Sequence, residues 1–442
     1  MRRLASTLLL LCACAGSPLR KSESPLEMAQ RDLAAGRAEE AQREFEQVLA
    51  GDPRSLPAIR GRIEAARKRG GLARVSTEAE AQAQARPDDA VAHYALGLVR
   101  FARGDEQAAL SSLRRAVELK PDEADIQYRL GLALYSGEKF SEARAPLTRA
   151  VELDPRVVRY RMPLATCLGR LGDRRAAIAA LREVPKLGPT PEEAALAVKS
   201  ARALTDLFRD LPQPARADLE QALGYLTKDA PGLAVPPLES LLQRFPDLAP
   251  AHALLGLAAA RLDEAGRSIT ELKRAAELLP ELPQPHAWLA ELYSGKDRTE
   301  LAAGEYAQAL ERNPLDVDTL VKLGKLRLER GGQPAQSLEP LSQAAALSPD
   351  DDSLALLLAR AELASDKPDA ARPILERLAE RRPEDAEVLL RLAALLFDDR
   401  SRTAGDGRRE LGHRVETLLE KVLALQPDNA AASRLLTALR AG

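Results

Sequence analysis

Apolar and small residues recur along this chain at helical spacing, and the whole arrangement returns every 34 residues. Within residues 90–123, Leu96-Gly97 occupies positions 7 and 8, followed by Ala109 at 20, Leu113 at 24, Ala116 at 27 and Pro121 at 32. Residues 124–157 repeat this with Leu130-Gly131, Ala143, Leu147, Ala150 and Pro155. Residues 249–282 do so with Leu255-Gly256, Ser268, Leu272, Ala275 and Pro280. Residues 283–316 carry Trp288, Leu289-Ala290, Tyr293, Ala302, Tyr306, Ala309 and Pro314. The pattern predicts two helices per period. Small residues at positions 8, 20 and 27 let helices cross at short distance, while the larger ones at 7 and 24 fill the space beside the crossings. Proline, which lacks an N–H and disfavours helical geometry in the residue before it, ends the second helix. Gly104-Asp105 and Gly172-Asp173 mark the turn between the two. A period of this length describes stacked helix pairs, each burying its apolar face only against its neighbours.

This pattern resembles the tetratricopeptide repeat, and the resemblance runs along nearly the whole chain. It implies an all-α, right-handed superhelical solenoid. Eleven repeats are expected: 22–55, 56–89, 90–123, 124–157, 158–191, 215–248, 249–282, 283–316, 317–351, 352–385 and 386–429. The second matches least well, with Ile63 where Gly or Ala belongs. Residues 22–191 thus hold five repeats and 215–429 six. Between them, 192–214 break the beat with an extra linker helix, Glu192 to Leu211, closed by Pro212 and Pro214. The ninth repeat carries one extra residue near Gly331-Gly332. The eleventh carries about ten, Asp398 to Gly407, expected to form an exposed loop. Residues 430–442 supply a capping helix with Leu435, Leu436 and Leu439 inward and Arg434 and Arg440 outward, covering the last repeat's apolar face.

The first residues are of another kind. Arg2-Arg3 precede an apolar run, Leu4 to Leu11, and a small-residue boundary, Cys12-Ala13-Cys14-Ala15-Gly16, which together describe a secretory signal. The run is too short to span a bilayer, which takes about 20 residues. Leu11-Cys12-Ala13-Cys14 also resembles the bacterial lipobox. That resemblance implies a signal peptide over 1–14, lipidation of Cys14 as the first mature residue, and a palmitate-bearing anchor. Ala15 in the next position implies the periplasmic face of the outer membrane. An ordinary signal cut near Ala15 leaves Cys14 incidental, and an unprocessed start would make the protein an intracellular adaptor. Removal of Arg2 and Arg3 leaves 62 basic against 66 acidic residues, a net charge of −4 against −2 for the whole chain. Such a balance gives no general electrostatic drive toward nucleic acid.

Candidate chemistry is sparse. His93, His252 and His286 all fall at position 4 of a first helix, and recurrence at one structural position points to packing. His413, near the last insertion, has no Cys or His neighbour in sequence to make a metal site. Cys167, the one cysteine outside the leader, reads as a small core residue rather than a nucleophile. No phosphate-binding glycine loop occurs. Acidic clusters such as Glu39-Glu40, Asp88-Asp89 and Asp350-Asp351-Asp352 read as turn and helix-start residues. The expectation is therefore a non-enzymatic scaffold without cofactor, metal or small-molecule substrate, which binds proteins or peptides.

The tetratricopeptide resemblance places positions 2, 5, 9, 12 and 13 of each first helix in a concave groove. Those positions give Val91, Tyr94, Leu98, Phe101 and Ala102, then Asp125, Tyr128, Leu132, Tyr135 and Ser136. The second repeat adds Arg60, Glu64, Arg67 and Lys68. The expected partner-binding groove is thus an aromatic stripe, Tyr94, Phe101, Tyr128 and Tyr135, with Leu98 and Leu132 between the rings and Arg60 and Arg67 at the rim. Neighbouring helices covering the rings is the alternative reading. The Lys and Asn of the family's carboxylate-gripping subtype are missing from the corresponding positions. Lipoproteins with these repeats serve envelope assembly, secretion and export, and an accessory role beside an envelope enzyme is equally compatible with the pattern.

Overall fold

The structure, a computed structural model, describes residues 23–441 apart from 210, 212 and 331; the leader and Cys14 lie outside the described residues. Among the described residues there are 24 α-helices, two short 3-10 helices and no strand. The chain divides into two compact units, the first ending at Gly137 and the second beginning at Glu138. The first holds the pairs α1 (Pro25–Ala34) and α2 (Ala38–Gly51), α3 (Leu56–Arg69) and α4 (Leu72–Ala85), α5 (Ala90–Ala102) and α6 (Glu106–Leu119), then α7 (Ala124–Ser136). The second begins with α8 (Phe140–Leu153), α9 (Arg161–Arg170), α10 (Arg174–Leu181) and α11 (Pro191–Leu204). Six pairs follow: α12 (Gln213–Thr227) with α13 (Pro231–Arg244), α14 (Ala249–Arg261) with α15 (Ala265–Leu278), α16 (Gln284–Gly295) with α17 (Thr299–Arg312), α18 (Val317–Glu329) with α19 (Pro334–Leu347), α20 (Asp352–Ala364) with α21 (Pro368–Arg381), and α22 (Ala386–Arg402) with α23 (Asp406–Leu425). The final helix is α24 (Ala430–Ala441). The fold is an all-α helical solenoid.

The backbone itself keeps the period. Left-handed φ values recur at Gly36, Gly70, Gly104, Glu138 and Gly172, and again at Asp229, Asp263, Asp297, Gly332 and Asp366. These are the turns inside each pair. Glycine adopts this conformation without penalty, and Asp tolerates it better than most side chains do.

The crossings explain the small residues. A Cβ on Gly97 would lie 2.6 Å from Leu113 Cγ, one on Gly256 2.6 Å from Leu272 Cγ, and one on Gly324 2.5 Å from Leu341. Position 8 is therefore empty because position 24 of the partner helix occupies its space. The second repeat departs from this. Ile63 stands at position 8, α3 and α4 meet loosely, and a cavity of about 330 Å³ remains beside Ile59, Ile63, Val75 and Ala79.

Position 4 has a specific task. His93 Nε2 donates to the carbonyl of Pro87 at 2.8 Å, Gln127 Nε2 to Pro121 at 2.8 Å, Arg161 Nη2 to Pro155 at 2.9 Å and His252 Nε2 to Pro246 at 2.8 Å. Each proline carbonyl sits where a second helix has ended and lacks an intrahelical donor, so a side chain six residues later supplies one. At Pro280 the donor is instead Arg312 Nε, at 2.6 Å.

Three expectations need correction. The linker helix α11 ends at Leu204, not Leu211. Its start is fixed by a capping box between Thr190 and Glu193; beyond its end, Asp206 accepts from the Phe208 N–H and bends the chain. The insertion from Asp398 to Gly407 is not a loop, because α22 runs on to Arg402 and α23 starts at Asp406. Arg372 pairs with Asp399 there, tying the extension to α21. Nor does each pair touch only its neighbours, since α11 and the 3-10 turn Val184–Leu187 pack against α19. Arg182 Nη2 donates to the carbonyl of Glu311 at 2.9 Å and Gln284 Nε2 to that of Thr205 at 2.8 Å, so the second unit folds back on itself. In α24, Leu436 and Leu439 are buried, Leu435 is half-buried, and Arg434 and Arg440 are exposed.

Candidate interaction surface

The expected groove lies on α3, α5 and α7, all in the first unit, with α5 in contact with both of the others. Its polar centre is Asp125. Arg60 Nη1 on α3 donates to Asp125 Oδ1 at 3.0 Å, across the 65 residues that separate them. The Tyr94 hydroxyl on α5 donates to Asp125 Oδ2, and Arg129 Nε on α7 lies 3.8 Å from the same oxygen. One carboxylate thus joins the first helices of three successive repeats. Burial, and then the negative charge of Asp125, push the Tyr94 phenol far above its ordinary pKa, so it stays a donor.

This network changes the aromatic stripe. Tyr94 is 0% exposed and Tyr128 8%, with the Arg129 guanidinium 5.4 Å from the Tyr128 ring centroid. Neither ring offers a free face; both belong to the wall beneath the surface. Tyr94 is drawn in because a buried phenol needs an acceptor and Asp125 provides one. Phe101 is 38% exposed, while Leu98, Leu132 and Tyr135 are half-buried. Arg67 is exposed and paired with Glu64 at 2.6 Å, one helical turn away. The structure therefore brings Leu98, Phe101, Leu132, Tyr135 and Arg67 to the face, and sets Tyr94, Tyr128 and Arg60 behind or between them. Sequence reasoning named Asp125 as a lining residue but missed its role. The available signal was an acidic residue at position 2 facing Tyr and Arg at position 5 of the two preceding repeats.

The second unit has its own polar centre on the first helices. Lys322 Nζ donates to Glu291 Oε1 and Asp318 Oδ2, each at 2.6 Å. Burial alone would lower its pKa, but the hydrogen bonds to Asp318 and Glu291 outweigh that and hold it charged. Leu219 and Leu226 are fully buried in the core, while Leu223 and Leu257 pack partly exposed against it.

Other candidates resolve as structural. Cys167 is buried, its Sγ 3.1 Å from the carbonyl of Phe140, and burial pushes the thiol pKa up, away from the reactive thiolate. His252 Nδ1 meets Glu271 Oε2 at 2.6 Å and His286 Nδ1 meets Glu305 Oε2 at 2.7 Å, the same tie in two consecutive repeats. Among the described residues, no group of His, Cys, Asp and Glu is arranged to hold a metal ion, and no helix is long and apolar enough to cross a membrane.

Comparison with known families agrees with this geometry. Residues 94–158 and 328–396 each match a family described as Tetratricopeptide repeat. Those two segments are therefore tetratricopeptide repeats. Among solved structures it is 17% identical to YrrB, described as a tetratricopeptide repeat protein with an unusual peptide-binding site, over 45% of this chain and 96% of that one, with a TM-score of 0.38. It is 20% identical to PilF of Pseudomonas aeruginosa, over 51% of this chain and 97% of that one, with a TM-score of 0.38. The APC/C hetero-tetramer Cut9-Hcn1 matches over 94% of this chain and 95% of that one, at 15% identity and a TM-score of 0.34. No curated protein matches the chain.

Proposed function

We propose that this protein is a non-enzymatic scaffold, anchored by lipid to the periplasmic face of the outer membrane, which holds one or more proteins of an envelope assembly, secretion or export system. The observation that carries the scaffold is the run of helix pairs, which places a continuous surface of first helices along each unit. The reading of an anchor rests on Arg2-Arg3, the apolar run to Leu11 and the lipobox-like Leu11-Cys12-Ala13-Cys14. In the first unit the partner's apolar side chains lie on Phe101, Leu98, Leu132 and Tyr135, beside the exposed rim of Arg67 and Lys68. Exposed aromatic and aliphatic groups next to charged ones suit an anchor site for a peptide or helix.

Metabolic labelling with radioactive palmitate tests the tether: wild type takes up label and Cys14→Ala does not. Equal labelling of the two proteins would refute it. Crosslinking in the native cell, followed by identification of the captured proteins, tests the scaffold. Phe101→Ala combined with Tyr135→Ala is expected to reduce capture by about tenfold at unchanged helicity, as loss of an interface anchor does. Unchanged capture would move the interface elsewhere.

A further inference from the structure

We propose that the open cavity formed where the second unit folds back on itself binds an acidic segment of a partner protein. The inference rests on the scaffold reading, since it takes the ligand to be protein. The cavity, about 540 Å³, is bounded by α10, the end of α11, the Pro280-Glu281 turn and the end of α17. Four guanidiniums line it, those of Arg174, Arg175, Arg182 and Arg312, together with the acidic side chains of Glu281 and Glu311 and apolar surface from Ile178 and Leu204.

The way these arginines are held points to an anion. Arg182 Nη2 donates to the main-chain carbonyl of Glu311 at 2.9 Å. Arg312 donates to the carbonyls of Pro280 and Gln308 at 2.6 and 2.7 Å. Neutral carbonyls fix the direction of a guanidinium without cancelling its charge. Arg174 alone is answered by a carboxylate, Glu281 at 3.8 Å; among the described residues none lies within 4.0 Å of Arg175, Arg182 or Arg312. Four guanidiniums against the carboxylates of Glu281 and Glu311 leave net positive charge on one concave space with a partly apolar wall, which favours an incoming anion.

A purely structural role accounts for Arg182 and Arg312, each at a helix C-terminus where cations are favoured. Arg175, exposed to solvent on the same cavity, has no hydrogen-bond or ion-pair partner among the described residues and is open to a ligand. The volume and the spread of charge exceed what one small anion fills, which favours several carboxylates borne on one peptide.

The test is fluorescence anisotropy of a fluorescein-labelled peptide of alternating Glu and Ser, titrated with the full chain at low ionic strength. Arg175→Gln, which removes no internal contact, is expected to weaken binding about fivefold with unchanged thermal unfolding. Arg182→Gln with Arg312→Gln is expected to weaken it about tenfold or more. Arg43→Gln, in the first unit, is expected to leave affinity unchanged. Three results would each overturn the proposal: no binding by wild type, equal weakening by Arg43→Gln and Arg175→Gln, or displacement by inorganic phosphate at the same concentration as the peptide. If the cavity variants lose the peptide yet still capture all crosslinked partners in the cell, the cavity is not a partner site, and the scaffold reading stands without it.

Discussion

Replacing Gly256 with alanine sets two effects of opposite sign against each other at one atom. Alanine in place of glycine inside a helix favours folding by about 1 kcal/mol. Here the added Cβ would lie 2.6 and 2.9 Å from Leu272 Cγ and Cδ2 and 3.1 Å from the Leu272 main-chain nitrogen. An unstrained carbon–carbon contact is about 3.5–4.0 Å, so the overlap is about 1 Å. Leu272 is 0% exposed and cannot swing into solvent, and its nitrogen belongs to α15, so relief requires the two helices to separate. Overpacking of this kind costs about 1–3 kcal/mol. The clash wins, with an expected net loss of about 1 kcal/mol. Gly304, in α17, is the control, because a Cβ there would meet nothing within 4 Å. Gly304→Ala should therefore stabilise by about 0.5–1 kcal/mol. Urea unfolding followed by far-UV circular dichroism measures both, and hydrogen exchange should show the loss concentrated in α14 and α15. Leu272→Ala in the Gly256→Ala background should cost less than in wild type, since the clash is then absent. A Gly256→Ala protein as stable as Gly304→Ala would refute the argument that position 24 forces position 8 to be small.

Two further perturbations follow from the buried polar groups. Burial, and then the charge of Glu291, push the Tyr306 phenol from 10.0 up to about 12, so the folded state favours its neutral form; its stabilisation is complete below pH 10 and is lost as pH rises through about 12. Absorbance at 295 nm should show Tyr306 and Tyr94 un-ionised at about pH 11 while the chain is still helical, and Tyr306→Phe should remove the step near 12. Seven phenols titrating together near 10 in folded protein would contradict this. His252→Ala leaves both the Pro246 carbonyl and Glu271 without their donor and should cost about 1–2 kcal/mol in urea unfolding. His286→Ala, which loses Glu305 only, should cost less; equal losses would show that the proline carbonyl gains nothing from the imidazole.

The features legible in the sequence are those that depend on contacts one period apart. Gly97 and Leu113, or Gly256 and Leu272, stand at the same two positions of their repeats, so a missing side chain in one helix and a leucine in the next can be read together. Gly324 meets Leu341 one residue later than the others, and the extra residue near Gly331-Gly332 accounts for that offset. The position-4 histidines were recognisable as structural for the same reason. Their partner, the preceding proline carbonyl, was not visible, because a main-chain acceptor leaves no mark in side-chain pattern. The insertion after Asp398 misled because Asp, Arg and Gly favour turns, yet a pair of helices can lengthen together when their tips are tied, as Arg372 ties to Asp399 and Arg414 to Glu376 at 3.0 Å.

Depth within the surface was the harder quantity. Helical spacing assigns Tyr94 and Phe101 to one face of α5, but it does not say which of them neighbouring helices cover. That is decided by a single acidic side chain: Asp125 accepts from Tyr94 and pairs with Arg60, which draws the phenol toward α7 and leaves Phe101, farther along α5, partly exposed. The return of α11 onto α19 follows the same logic over a longer reach. Thr205, Gln284, Arg182 and Glu311 are joined through main-chain carbonyls, and the segments they join are about a hundred residues apart. A repeating pattern describes how each pair sits on the next. Where the chain meets itself again depends on the accumulated rotation of the intervening pairs, so the arginine-lined cavity leaves no mark in the repeating pattern.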